Sequence, residues 1–255
     1  MRTVRAALGS DIFYGVLEDG IVRRLSHAPF DGIEYTGNEY EEKTLKLLNP
    51  AEPSKIVAIG KNYHAHALEM NEGEPTEPLL FLKPSTSVIS PEDMVVYPAI
   101  SKRLDYEGEL CVVIGRRCRN VKSEDALNYV FGYTCLNDVT ARDIQKSDPQ
   151  WTRGKGFDTF CPIGPCIVTD LDASDLAIQT RLNGKAVQSS RTSYMTHRIP
   201  ELIEYISRVM TLLPGDCIAT GTPEGIGQMQ IGDRVEVEIE GIGTLANTIA
   251  GEEIR

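Results

Sequence analysis

At 255 residues the chain can bury most of its apolar surface in one large domain or a modest pair, without disulfides or structural metals. Hydrophobic residues at 41% and charged residues at 25% exclude wholesale disorder, and 37 acidic against 26 basic residues give a formal charge of −11. That charge repels phosphate backbones and anionic bilayers, and the densest basic runs, Arg116-Arg117-Cys118-Arg119 and Arg23-Arg24, are too short to reverse it; neither nucleic acid nor a membrane is expected as a partner.

Residues 1–50 read as a small N-terminal β subdomain, with strands at 12–17 and 21–25 around an Asp19-Gly20 turn. Asn49-Pro50-Ala51-Glu52-Pro53 separates it from residues 55–255. There a strand at 55–59 leads to a helix at 63–70 and a breaker-rich stretch at 73–78. Further strands are predicted at 79–83, 107–114, 129–136 and 163–168, with Ser123-Glu124-Asp125 able to open a helix. Asn183-Gly184 between 178–182 and 185–189 is the clearest hairpin signal. A helix at 200–212 carries Leu202, Ile203, Ile206, Val209 and Met210 at helical spacing behind Pro200. Strands at 217–220, 233–239 and 243–249 complete an α+β chain rich in strands, with few helices and no βαβ alternation. No apolar run spans a bilayer and no signal-type leader follows Met1, so a cytoplasmic location is expected. Six cysteines without a Cys-x-x-Cys pair, most within apolar runs, read as reduced core residues.

In Asp105-Tyr106-Glu107-Gly108-Glu109-Leu110 the strand period of two puts Glu107 and Glu109 on one face, continued by Cys111 and Val113. Two like charges entering an apolar strand repel each other and lose hydration, which a hard cation such as Mg²⁺ or Mn²⁺ would offset; a solvated strand end is the competing reading. Asp138 closes the apolar run 130–136 and supplies a third carboxylate, or else the N-cap of a following helix. Arg142, Gln145 and Lys155 lie nearby in sequence and suit a carboxylate substrate. His66 and Glu69, three apart on one helical face, form a pair that orients an imidazole for proton transfer, or a surface ion pair. His64-x-His66 with Glu69 also resembles a cupin-type metal cluster, although no second histidine motif follows. His27, His64 and His197 are otherwise read as structural. Gly-x-Ser-x-Gly and Walker motifs are absent, and Gly225-x-Gly227-x-x-Gln230 breaks the dinucleotide fingerprint. Thr220-Gly221-Thr222-Pro223 is a turn that lets backbone approach a ligand while Thr222 offers a hydroxyl, or a plain tight turn.

Gly60-Lys61-Asn62-Tyr63…His66…Glu69, Phe81-Leu82-Lys83-Pro84, Glu107-x-Glu109, Asp138-Val139-Thr140-Ala141-Arg142-Asp143, Lys155-Gly156-Phe157-Asp158 and Thr220-Gly221-Thr222-Pro223 follow one another over residues 55–249. Together, in this order, they resemble the fumarylacetoacetate hydrolase family. The resemblance implies a mixed β-sandwich roll, a homodimer, and Mg²⁺ or Mn²⁺ held by Glu107, Glu109 and Asp138. It also implies a His66–Glu69 base dyad, a lid at 71–78, and substrate contacts from Arg142, Gln145, Lys155 and Thr222, with Lys155 also a candidate to stabilise an oxyanion. The implied substrates are small 2-oxo or 2,4-dioxo acids, chelated by a Lewis-acidic cation. With both dyad residues present, C–C hydrolysis of the acylpyruvase type or oxaloacetate decarboxylation is the first expectation, and isomerisation or keto–enol tautomerisation of oxo-diacids the second. A metal-stabilised oxo-acid-binding protein without catalysis is the third. The chain is shorter than the animal fumarylacetoacetases, which speaks against fumarylacetoacetate itself.

Overall fold

Alternation along the strand Gly108–Ile114 divides its side chains between two cores. Leu110, Val112 and Ile114 join Val57, Ile203, Ile206 and Leu245, whereas Cys111 and Val113 join Ala58, Ile163, Cys217 and Ala219. Burial on both faces explains why this segment is apolar at nearly every position. The computed structural model describes residues 1–69, 73 and 75–252; of the expected lid at 71–78, Asn71, Glu72 and Glu74 fall outside the described residues.

Strand 108–114 lies inside the larger of three sheets. Its neighbours are the antiparallel strands Val130–Asn137 and Cys217–Ala219, and beyond the latter come the parallel Ile56–Gly60 and, at the edge, Leu79–Lys83. On the other side Val130–Asn137 pairs with Cys161–Val168, which pairs in turn with Arg2–Leu8. The strands of residues 1–50 are therefore hydrogen-bonded into the same sheet as the central ones, through a strand, Arg2–Leu8, outside the two expected there. A five-stranded sheet carries the hairpin Ala177–Leu182/Lys185–Arg191, and a three-stranded one joins Leu104–Tyr106, Thr140–Ala141 and Gly227–Met229.

Both predicted two-residue turns form with positive φ at each central residue, 50° and 76° at Asp19-Gly20 and 52° and 78° at Asn183-Gly184, as a type I′ hairpin needs. The long helix runs Ile199–Val209, with Pro at its first turn, and buries Leu202, Ile203 and Ile206 against the central sheet. It stops short of 212 because Met210 is extended. The helix that Ser123-Glu124-Asp125 opens, Ser123–Tyr129, is of the 3₁₀ type, with fewer residues per turn and a longer rise per residue than an α-helix. All six cysteines are free and buried.

Candidate metal and substrate site

Antiparallel pairing builds the acidic centre. Gly108 stands opposite Asn137, so the next residues out, Glu107 and Asp138, face each other where the two strands end, joined by the Asp138 N–H donating to Glu107 O at 2.8 Å. Glu109, two residues along, returns to the same face. One oxygen from each of Glu107, Glu109 and Asp138 lies within 4.8 Å of the others, and the three residues are only 4%, 1% and 1% exposed. The solvated strand end is thereby excluded. So is the N-cap role for Asp138, because the helix Arg142–Ser147 is preceded by Ala141.

The glycine between the two glutamates is required by packing: a Cβ on Gly108 would stand 2.1 Å from Thr180 Oγ1. Its N–H donates to Gln188 Oε1 at 3.0 Å, and Gln188 Nε2 donates to Thr222 Oγ1 at 2.9 Å. Thr222 in turn donates to Gly108 O at 2.9 Å. Thr222 thus reaches the site, but its hydroxyl hydrogen is directed at the backbone. Gly221, at φ 98°, donates its N–H to Glu109 Oε2 at 2.8 Å.

Cations balance this buried charge. Arg142 bonds Glu107 Oε1 and, through Nε, Asp105 Oδ2 at 2.9 Å. Lys155 Nζ contacts Glu107 Oε2 at 2.7 Å and Asp138 Oδ2 at 2.5 Å, while Lys83 Nζ contacts Asp138 Oδ1 at 2.5 Å. Asp105 and Lys83 were not among the residues singled out from sequence. Lys83 closes the apolar strand 79–83, and a lysine there needs a buried carboxylate if its stem is to stay inside, a partner the sequence alone does not reveal.

Burial alone would raise the Glu107 carboxyl, but the charges of Lys155 and Arg142 outweigh it and hold Glu107 well below the ordinary carboxylate range. Glu109 has the opposite balance. Burial, then the charges of Asp138 and Glu107, push it well above that range, against opposition from Lys155 and the Gly221 N–H. Three crowded carboxylates, one of them driven toward its neutral form for want of positive charge, are a donor set that fits a hard divalent cation.

His66 is buried at the rim of this centre, on the helix His64–Glu69, with Nδ1 3.3 Å from Glu69 Oε2. Both Glu69 oxygens also accept the Gly225 N–H at 3.2 Å, which fixes the carboxylate behind the ring. His64 is exposed and does not join the acidic cluster, so the cupin-like arrangement is not formed. Of the nine residues singled out from sequence, all but Glu69 line one cavity of about 30 Å³, room for little more than water. Gln145 Oε1 accepts from Arg142 Nη1 at 3.4 Å there. Phe81 and Trp151, edge to face at 5.2 Å, wall the cavity on the side of Lys155, whose ammonium lies 5.1 Å from the Phe81 ring centre. A larger recess of about 370 Å³, lined by Leu171, Met195 and Ile199 among others, brings no such set of ionisable groups together.

Comparison with known proteins places this geometry. The family model described as fumarylacetoacetate (FAA) hydrolase C-terminal matches residues 55–250, and one described as Rv2993c-like, N-terminal matches residues 1–50. The crystal structure of a 2-hydroxyhepta-2,4-diene-1,7-dioate isomerase from Mycobacterium marinum superposes with a TM-score of 0.93 at 43% identity, covering 100% of both chains. That of a 5-carboxymethyl-2-hydroxymuconate delta-isomerase from Mycobacterium smegmatis gives 0.94 at 45% identity, over 99% of this chain and 100% of the other. The mitochondrial oxaloacetate tautomerase fahd2 of Xenopus laevis is 43% identical over 218 residues, 80% of this chain and 68% of that one. The chain belongs to the fumarylacetoacetate hydrolase family, whose members process small oxo-acids.

Proposed function

We propose that this protein catalyses a proton shift beside the keto group of a small oxo-diacid, a keto–enol tautomerisation or double-bond isomerisation, with Mg²⁺ or Mn²⁺ held by Glu107, Glu109 and Asp138. The observation that carries the reading is His66, buried at the edge of the carboxylate cluster with one ring nitrogen on Glu69. With Nδ1 so engaged, Nε2 is the nitrogen that takes a proton from one substrate atom and returns it to another. Glu69, held by Gly225 N–H, keeps the ring in that orientation. Arg142 and Lys155 supply positive charge for the substrate's carboxylates, and Phe81 and Trp151 shield the reacting atoms from bulk water. When bound, the cation supplies Lewis acidity to the oxygens of a 2-oxo acid.

The names borne by the isomerase and tautomerase relatives support a proton shift over carbon–carbon cleavage. The same dyad supports a second reading, in which His66 activates a water for hydrolysis of a 2,4-dioxo acid and Lys155 stabilises the oxyanion. Incubation with Mg²⁺ and, separately, oxaloacetate, an acylpyruvate and an unsaturated oxo-diacid, followed by proton NMR, distinguishes them. Isomers formed without loss of carbon support the first reading, and released acid or CO₂ the cleavage reading. A protein that binds the metal and converts none of these would be the non-catalytic oxo-acid binder instead.

A further inference from the structure

The four oxygens of Glu107 and Asp138 are held in a pattern that separates two kinds of cation. Arg142 takes Glu107 Oε1 and Lys83 takes Asp138 Oδ1, one carboxylate each. Lys155 alone among the described residues spans both, with Nζ on Glu107 Oε2 at 2.7 Å and on Asp138 Oδ2 at 2.5 Å. These two residues, with Glu109, are the triad suited to a metal. A divalent ion needs an oxygen from each at about 2.0–2.1 Å for Mg²⁺. Metal and ammonium on the same two oxygens would put two positive charges in near contact, away from water, where their repulsion is least screened.

Removing Lys155 frees one oxygen on each carboxylate at once, which neither Arg142 nor Lys83 does. Its ammonium is also the one beside free space, about 30 Å³, enough for a group of its own size. Lys83 is walled in by Asp138 and the Val139 carbonyl, 3.2 Å from its Nζ, whereas Lys155 lies over Phe81 at the wall of the cavity shared with Trp151, Gln145 and His66.

We propose that Lys155 is a resident counter-ion that stands in the place of the metal, and that a divalent cation displaces it into the cavity, where it meets an anionic ligand. Metal loading then does two things: it fills the triad and delivers a free ammonium to the substrate side. Metal therefore binds before substrate, and an anionic ligand gains its lysine contact only in loaded protein. The inference rests on the metal reading above and adds the exchange to it.

Acetic anhydride labelling of the full chain, read by peptide mass spectrometry with and without Mg²⁺, tests this without any assay of turnover, and calorimetry on the same samples reports whether Mg²⁺ binds. Lys155 is expected to be resistant in metal-free protein and to be acetylated roughly tenfold faster or more when loaded, as release of a buried ion pair implies, while Lys83 stays resistant throughout. Lys155→Met is expected to bind Mg²⁺ roughly tenfold tighter, since a competing charge is removed; a lysine that merely braced the triad would weaken it. Bound Mg²⁺ with Lys155 still protected overturns the exchange and leaves the metal site standing, as does a Lys155→Met protein that binds Mg²⁺ no tighter. No Mg²⁺ or Mn²⁺ binding in the unaltered protein overturns both.

Discussion

At Glu109, burial and two like charges act together to favour the protonated carboxyl. Its folded-state value lies above that of the unfolded chain, so its contribution to stability is full below the unfolded value and is lost as pH rises through the folded one. Glu107, held low, has the reverse sign: its contribution is present above the unfolded value and is lost as pH falls. Urea unfolding of metal-free protein across a pH series is expected to show stability falling on the alkaline side of the ordinary carboxylate range, and Glu109→Gln is expected to remove that fall. A metal entering the triad must displace the same proton, so Mg²⁺ affinity is expected to rise with pH and to weaken in Glu109→Gln. Calorimetry in buffers of different ionisation enthalpy checks the proton release. At His66 the expectation concerns rate: His66→Ala should lower turnover by about 10²-fold to 10⁴-fold, as loss of a general base does, while the Mg²⁺ titration is unchanged. Unchanged turnover would remove His66 from the chemistry.

Among the elements, the facing strand holds the Glu107 backbone, through the Asp138 N–H on its carbonyl oxygen, whereas the turn Thr220-Gly221-Thr222 holds the Glu109 carboxylate. Gly221 combines a φ of 98° with a position where a Cβ would stand 2.7 Å from Asn62 Cβ, and its N–H is on Glu109. Gly221→Ala should therefore cost about 1–3 kcal/mol of stability, the usual toll of forcing a side chain into such backbone, and should weaken Mg²⁺ binding. Thermal unfolding and a metal titration on the one variant check both. The elements also explain what could be read in advance. Glu107 and Glu109 were legible because a period of two is local, and so were Asn183-Gly184 and Asp19-Gly20, whose conformations are set by the two residues themselves. The resemblance of ordered motifs carried the other site residues. Lys83 and Asp105 were not legible. A lysine ending an apolar strand looks the same whether it bends into water or onto Asp138, and only the tertiary partner decides. Pairing of Arg2–Leu8 with Cys161–Val168 was equally hidden, since a register between segments some 160 residues apart is fixed by packing.

Across the whole molecule, the acidic centre couples strands 108–114 and 130–137 to the turn at 220–222 and to the lysines at 83 and 155. A cation that binds only this assembled arrangement stabilises the fold by mass action, about 2.7 kcal/mol at a hundredfold excess over its Kd. For a chain of this size that is a rise in Tm of roughly 5–10 °C, lost on chelation and in Asp138→Asn. No helix among the described residues is long and apolar enough to cross a membrane. The central claim is a proton shift at carbon governed by His66 and a metal-loaded triad, and proton NMR in D₂O tests it most directly. With Mg²⁺ present, the protein is expected to speed deuterium incorporation at the carbon next to the keto group of oxaloacetate well beyond the metal alone, with His66→Ala losing the acceleration. No acceleration by protein shown to hold the metal, or an acceleration that survives in His66→Ala, would contradict it.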